Sequence, residues 1–336
     1  MPARLKDVAE RAGVSIKTVS NVVNDHPHIK PSTRARVEEA IRELRYRPNV
    51  SARQLKYGRA GFLALAVPKV DSPYFAELSE KIAKHSAELG YLMLLDATRA
   101  DATTERQVLD GMRSHVIDGL IFSPLTVTAD EIANRQDDLP IVLLGERAVP
   151  PGFDHVAVDS VAAAQAVTEH LVSIGRRRIA AVGRESVEGT ASVRLRGYRQ
   201  ALERAGIGYD PELVVGVAQY GREDGRRAMQ GLLALPEPPD AVFCFNDLMA
   251  IGALRACVDA GVAVPEQVAV AGFDDIAEGH FFNPSLTTVS ADLDVLSREA
   301  LRLLLQRVAG DDSPAVSVKV PWTVQIREST VGRAGR

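Results

Sequence analysis

Two sets of side chains in this chain have the types and spacing to do chemistry, and neither is a nucleophile–base set. The first is compact: Ser15, Ile16, Lys17, Thr18, Ser20 and Asn21 fall close together near the amino terminus. On a helix laid in the major groove of duplex DNA, Lys17 donates to guanine O6 or N7, Asn21 pairs with adenine, and Ile16 offers apolar contact to a thymine methyl. The second set is dispersed: Asp71-Ser72-Pro73-Tyr74-Phe75, Ser123-Pro124, Asn246-Asp247, Gly272-Phe273-Asp274-Asp275, and Arg194 with Gly197 and Tyr198. Short planar Asp, Asn and Arg groups bind two neighbouring hydroxyls at once, and an aromatic ring covers the apolar face of a sugar, so this is an inventory for a polyol. Each member also has a plainer role open to it: Asn246 and Asp275 as helix caps, Asp274 in a turn, Arg194 as a surface charge, Phe75 in the core.

The elements that must carry the first set are legible. Leu5, Val8, Ala9 and Ala12 recur at helical spacing, Gly13 interrupts them, and Val19, Val22 and Val23 resume after Ser15, whose hydroxyl suits an N-cap. Two short helices around a tight turn need a small residue where they touch, supplied by Ala9, and tolerance of positive φ in the turn, supplied by Gly13. In such a helix-turn-helix the second helix enters the major groove and its outward residues reach base edges. A third amphipathic helix is expected from Pro31 to Leu44, with Val37, Ala40, Ile41 and Leu44 on one face. Pro48-Asn49 then ends the unit, and Val50 to Lys56 is helix-capable but too short to be stable alone.

Charge agrees with this division. Residues 1–60 hold 13 Lys/Arg against 6 Asp/Glu, a net of +7, whereas the other 276 hold 27 against 38, a net of −11. A basic head on an acidic body points to a polyanion at the head alone.

The runs LKDVAERAGVSIKTVSNVVN, TRARVEEAIRELRYRPN and ARQL resemble the DNA-binding head of the lactose-repressor (LacI) family. That resemblance implies a hinge helix after Pro48-Asn49 that pairs with its dimer mate in the minor groove, with Leu55 as the wedge, Ala52 on the packed face, and Asn49 at the hinge start. One departure is visible: Arg45 stands at a helix end where the family often has Gly or Asn, so a left-handed conformation there is expected to be strained or absent.

In the body, the apolar runs at 62–68, 91–96, 119–123, 141–145, 178–183, 240–246 and 267–275 alternate with amphipathic stretches. Buried strands alternating with helices mean parallel sheets covered on both faces, with ligands at the carboxyl ends of the strands. The length left after the head accommodates two α/β lobes. The runs FND-MAIGAL, AVAGFDD, PSLTTV and IREST extend the LacI resemblance over nearly the whole chain. The implied fold is α/β: an all-α head at 1–47, a hinge helix at 48–58, and a two-lobed periplasmic-binding-protein-like core of parallel sheets at 59–331. The N-lobe is expected at about 59–160 and 289–320, the C-lobe at about 161–288 and 321–331. Position by position, the resemblance places Arg194, Asn246 and Asp274 on effector hydroxyls and Tyr220 stacked on the ligand. Asp71, Tyr74 and Phe75 line the N-lobe, with Ser123 a weaker candidate. Lactose-type repressors carry an effector-binding Asp after the fourth strand; this chain has Gly145-Glu146, which leaves the sugar's identity open.

Cys244 and Cys257 are the only cysteines and stand in apolar surroundings, as thiols in a reducing compartment do. No leader precedes the head and no apolar stretch is long enough to span a bilayer, so a cytoplasmic location and no membrane partner are expected. No metal-ligand spacing, P-loop or nucleophile elbow occurs, so neither a cofactor nor catalysis is expected. The chain stops soon after IREST, in VGRAGR, without a leucine-repeat tail, so the expected assembly is a homodimer on a pseudo-palindromic operator. The expected function is a transcriptional repressor controlled by a small sugar-like effector. The nearest alternative is a purine-responsive corepressor system, because Tyr74-Phe75-Ala76-Glu77 also resembles the purine repressor's pocket; Glu188, a poor donor to a purine oxygen, argues against it, and Thr190 is neutral. A sugar-uptake protein would share the body but not the basic head, and an enzyme would need a catalytic pattern the chain lacks.

Overall fold

The computed structural model describes residues 3–23, 28–46, 60–111, 116–147, 149–183 and 189–332. The chain divides into two compact units, Met1–Gly61 and Phe62–Arg336.

In the first unit α1 (Leu5–Ala12), α2 (Ile16–Val23) and α3 (Pro31–Glu43) enclose a core of Val8, Ala9, Ala12, Val19, Val22, Val37, Ala40 and Tyr46. Gly13 takes the left-handed conformation (φ 63°), and the Val14 N–H donates to the Ala9 carbonyl at 3.0 Å, closing α1. Ser15 caps α2 as expected: its hydroxyl accepts from the Thr18 N–H at 3.1 Å. The left-handed helix end doubted at Arg45 is present, with φ 48°. Arg45 N–H donates to the Arg42 carbonyl at 3.2 Å and Tyr46 N–H to the Ile41 carbonyl at 3.0 Å. The cost of the left-handed state without glycine, about 1–2 kcal/mol, is offset by these two bonds and by burial of the Tyr46 ring in the core. Asn49, Ala52, Leu55 and the expected segment from Val50 to Lys56 lie outside the described residues.

The second unit holds two six-stranded sheets. The first contains β1 (Phe62–Val67), β2 (Leu92–Ala97), β3 (Gly119–Phe122), β4 (Ile141–Leu144), β5 (Asp154–Val158) and a late strand, β11 (Ser317–Val320), in the order β11-β5-β4-β3-β1-β2. Every pairing in it is parallel. The second contains β6 (Ile179–Gly183), β7 (Val214–Gly216), β8 (Ala241–Cys244), β9 (Ala269–Phe273), β10 (Thr287–Ala291) and β12 (Trp322–Gln325), in the order β12-β10-β9-β8-β6-β7. It is parallel except where β10 meets β12. The chain passes between sheets at Asp159, Asp292 and Pro321, and the Asp292 N–H donates to the Pro321 carbonyl at 2.9 Å, tying two of these passages together. Strand β10 stays in the second sheet as far as Ala291, slightly beyond the boundary expected near 289.

Seven strands follow the apolar runs, and five do not. Strand β5 was hidden because Asp154 and His155 are polar yet buried: Arg307 pairs with Asp154 at 2.7 Å, and His155 bonds the Gly145 carbonyl at 2.7 Å. Strands β7, β10, β11 and β12 are short or Thr/Ser-bearing and gain their strand state from the neighbours they pair with.

Helices that position the cleft include α4 (Pro73–Glu88), α7 (Ser160–Ser173), α8 (Thr190–Arg204) and α10 (Asp247–Asp259), the intervening α5, α6 and α9 being Ala102–Leu109, Ala129–Ala133 and Arg222–Leu233. A Cβ on Gly197 would stand 2.2 Å from the Val161 carbonyl oxygen, so α7 and α8 close to backbone contact there. That contact fixes the face of α8 on which Arg194 lies, one turn earlier.

Candidate functional site

In the head, Ser15, Ile16 and Lys17 are exposed, Ile16 at 50 %, and Thr18 and Asn21 are half-buried. Lys17, Thr18 and Asn21 share one face by helical spacing. Ser20 does not belong to it: at 7 % exposure it is buried alongside Val19 and Val22, because residue 20 turns toward the core side of α2. The face therefore offers an ammonium, an amide, two hydroxyls and an isolated aliphatic side chain, a set suited to base edges.

The second site lies between the two sheets. Tyr74 stands in the first turn of α4, and Glu146 two residues beyond β4, both on the side of the first sheet; Arg194 in α8 and Asp274 directly after β9 belong to the second. Arg194 is 7 % exposed. Its Nη2 donates to Glu146 Oε1 at 3.0 Å, its Nη1 donates to the Phe245 carbonyl and lies 3.7 Å from Asp274 Oδ1, and its Cζ sits 3.5 Å from the Phe273 ring centroid. Ser160 donates its hydroxyl to Glu146 Oε1. The Arg194–Glu146 pair thus bridges the lobes, as does Lys69 Nζ donating to Gln219 Oε1 at 3.0 Å.

The four groups set one another's protonation. Burial alone would raise the Glu146 carboxyl, but the Arg194 guanidinium and the Ser160 and Thr190 hydroxyls hold it below its ordinary range. At Asp274 burial wins: its carboxyl is pushed well above the ordinary value despite Arg194, with Asp247 and Glu146 adding to the rise. Burial, then the charges of Asp274 and Glu146, raise the Tyr74 hydroxyl. Burial opposes the charge on Arg194, but Glu146 and Asp274 outweigh it and raise its affinity for the proton. Asp274 also carries φ 117° and Asp275 φ 56°, where side chains other than glycine cost about 1–3 kcal/mol. Bonds hold that turn: Asp274 N–H to the Val289 carbonyl at 2.9 Å, and Arg327 to Asp275 Oδ1 at 2.6 Å.

The other expected residues are distributed around this cluster. Tyr74 meets Phe75 edge-on at 5.1 Å. Ser123 is buried at the end of β3, beside Gly145. Asn246 caps α10, its Oδ1 accepting from the Met249 N–H at 2.9 Å, while its Nδ2 donates to the Tyr220 carbonyl at 3.1 Å. The plainer role proposed for it is therefore real, and it also fixes the loop bearing Tyr220. Asp71 is exposed on the loop before α4, outside the buried cluster. One member was missed: Glu146 stands only as a departure in the sequence, although a charged residue directly after the apolar run IVLLG was a usable signal. Phe273 belongs to the run Gly272–Asp275 singled out in the sequence, but nothing local placed its ring beneath Arg194.

Residues 4–49 match the family described as bacterial regulatory proteins, lacI family, and residues 168–330 match the periplasmic binding protein-like domain. The HTH-type transcriptional repressor CytR of Escherichia coli (strain K12) is 34 % identical over 329 residues, covering 98 % of this chain and 96 % of the relative. The chain belongs to the LacI family. Among solved structures, the transcriptional regulator CelR–cellobiose complex shares 31 % identity and a TM-score of 0.73 over 97 % of this chain and 99 % of the other. The Lac repressor dimer bound to operator and the anti-inducer ONPF shares 26 % identity and a TM-score of 0.86, over 98 % and 99 %. This LacI-family protein is thus a DNA-binding transcriptional regulator rather than an enzyme. Among the described residues, no helix is long and apolar enough to cross a membrane, and no three His, Cys, Asp or Glu side chains are grouped to hold a metal ion.

Proposed function

We propose that this regulator is a cytoplasmic, homodimeric repressor that binds a pseudo-palindromic operator and is controlled by a small sugar-like effector held between its lobes. The observation that carries this reading is the meeting of Glu146, after a strand of one lobe, with Arg194 and with Asp274, after a strand of the other, their side chains only 9–15 % exposed, at the strand ends where α/β proteins hold ligands. The CelR neighbour binds cellobiose and the Lac repressor neighbour binds operator as a dimer, which supports the same assignment here. Ser15, Ile16, Lys17, Thr18 and Asn21 read bases; Asn49, Ala52 and Leu55, by resemblance, engage the minor groove. Arg194 and Asp274 bind effector hydroxyls, Tyr220 and Phe75 cover apolar faces, and Asn246 and Ser123 complete the lining. Closing the lobes on the effector changes operator affinity, and by linkage the operator changes effector affinity by the same factor.

Selection from a random duplex pool with the full-length protein, with and without a panel of sugars, tests this. Enrichment of one palindrome that a particular sugar abolishes or strengthens is the expected result. Enrichment indifferent to every sugar in the panel overturns the effector assignment, and no enrichment overturns the operator assignment.

A further inference from the structure

Two consecutive residues other than glycine, Asp274 and Asp275, take positive φ, 117° and 56°, in the turn that brings Asp274 to Arg194. Such residues persist only where the surrounding structure over-determines them. One of the groups that does so here is a carboxyl closed to any ligand. Asp247, the first residue of α10, is 0 % exposed, so it meets no effector directly. Its Oδ2 accepts from the Ile276 N–H, directly after the turn, at 2.9 Å, and its Oδ1 accepts from the Thr288 hydroxyl at 2.5 Å. Thr288 Oγ1 itself accepts from the Asp275 N–H at 3.4 Å, so two successive amides of the turn end on the Asp247–Thr288 pair. Strand β9 leaves room for that carboxyl: a Cβ on Gly272 would stand 2.1 Å from Asp247 Oδ1. One residue earlier, Asn246 Nδ2 donates to the Tyr220 carbonyl at 3.1 Å.

From this we infer that Asp247 is a positioning residue of the effector site: it holds the strained turn that presents Asp274, and with Asn246 it makes the start of α10 the shared anchor of the Tyr220 loop and the Asp274 turn. This rests on the effector reading above and deepens it. Without Asp247 the Ile276 N–H and the Thr288 hydroxyl are buried with an acceptor removed, and the turn is free to relax from its left-handed backbone, which carries the Asp274 carboxyl away from the cleft.

The test is calorimetric titration of the full-length protein at pH 6 with cellobiose, ribose and glucose, in the parent and in Asp247→Ala, Asp247→Asn and Thr288→Val. Burial pushes the Asp247 carboxyl up to about 7, so at pH 6 it carries its proton, and Asp247→Asn reproduces an acceptor for the Ile276 N–H and a donor for Thr288 Oγ1. For a sugar that binds the parent, Asp247→Ala is expected to weaken binding at least about tenfold, roughly 1.4 kcal/mol, Asp247→Asn to bind within about twofold of the parent, and Thr288→Val to fall between them. Operator affinity without sugar, measured alongside melting, should be unchanged in all three variants. A folded Asp247→Ala that binds as tightly as the parent, or an Asp247→Asn no better than Asp247→Ala, overturns the positioning role and leaves the effector reading standing. Should Asp247→Ala fail to fold, Thr288→Val decides, and parental affinity there overturns the role. If none of the three sugars binds the parent at millimolar concentration, the effector reading fails and the positioning role with it.

Discussion

The face of α2 and the cleft between the lobes differ in almost every physical respect. Lys17, Thr18 and Asn21 share two turns of one helix, and Lys17 is exposed to water. Tyr74, Glu146, Arg194 and Asp274 come from four separate elements, and the protonation of each depends on the others: Glu146 and Arg194 are held charged, Asp274 and Tyr74 towards their neutral forms. A water-facing side chain can be exchanged with little effect on folding, so its loss shows in binding. A buried charge cannot lose its partner without consequence for the fold, so function and stability are joined there.

The comparison breaks most readily at Arg194. Arg194→Ala leaves Glu146 buried beside only a serine and a threonine hydroxyl, and should cost about 3–5 kcal/mol in urea unfolding as well as abolish the effector response. A variant that unfolds like the parent would show that the cleft is no more coupled to stability than the head.

Asp247 extends the same logic to pH. It is fully buried, accepts from Thr288 Oγ1 at 2.5 Å and from the Ile276 N–H at 2.9 Å, and burial raises its carboxyl from 3.8 to about 7. Between those values the folded chain keeps a proton that the unfolded chain releases, so this group's contribution is present in full below pH 3.8 and is lost as pH rises through about 7. Urea midpoints measured from pH 5 to pH 8 should fall less steeply in Asp247→Asn than in the parent; equal slopes would remove Asp247 from the account.

In the head the effects separate. Lys17→Ala should weaken specific operator binding by about 1–3 kcal/mol in a fluorescence titration, with melting temperature unchanged. A drop in melting temperature of similar weight would mean that Lys17 supports the fold rather than reads DNA. The smallest effect is expected at Ser15→Ala, about 1 kcal/mol of head stability through loss of the Thr18 N–H cap, read by hydrogen exchange in α2.

How much of this was legible follows from distance along the chain. The turn at Gly13, the cap at Ser15, and the helix beginning at Pro31 were all readable because caps and turns are decided within a few residues. Ser20 was misplaced because a hydroxyl on a short helix looks the same whether it faces inward or outward. Arg45 was misjudged because the burial of Tyr46 that holds its left-handed state depends on the packed core of all three helices. In the body, strands with continuous apolar runs were visible, whereas β5 and β10 carry polar residues whose partners lie far along the chain, such as Arg307 for Asp154.

The sequence by itself determined the helix-turn-helix, its basic charge and the alternation of buried strands with helices, which rest on local periodicity, backbone preference and composition acting over a few residues at a time. It offered Arg194 and Asp274 as polar candidates, and the family resemblance implied their role. Only the tertiary structure decided that Glu146 completes the cleft, that Phe273 lies beneath the guanidinium, and that Ser20 turns inward. Those outcomes depend on which groups lose water together, and that is set when separate strands and helices close on one another.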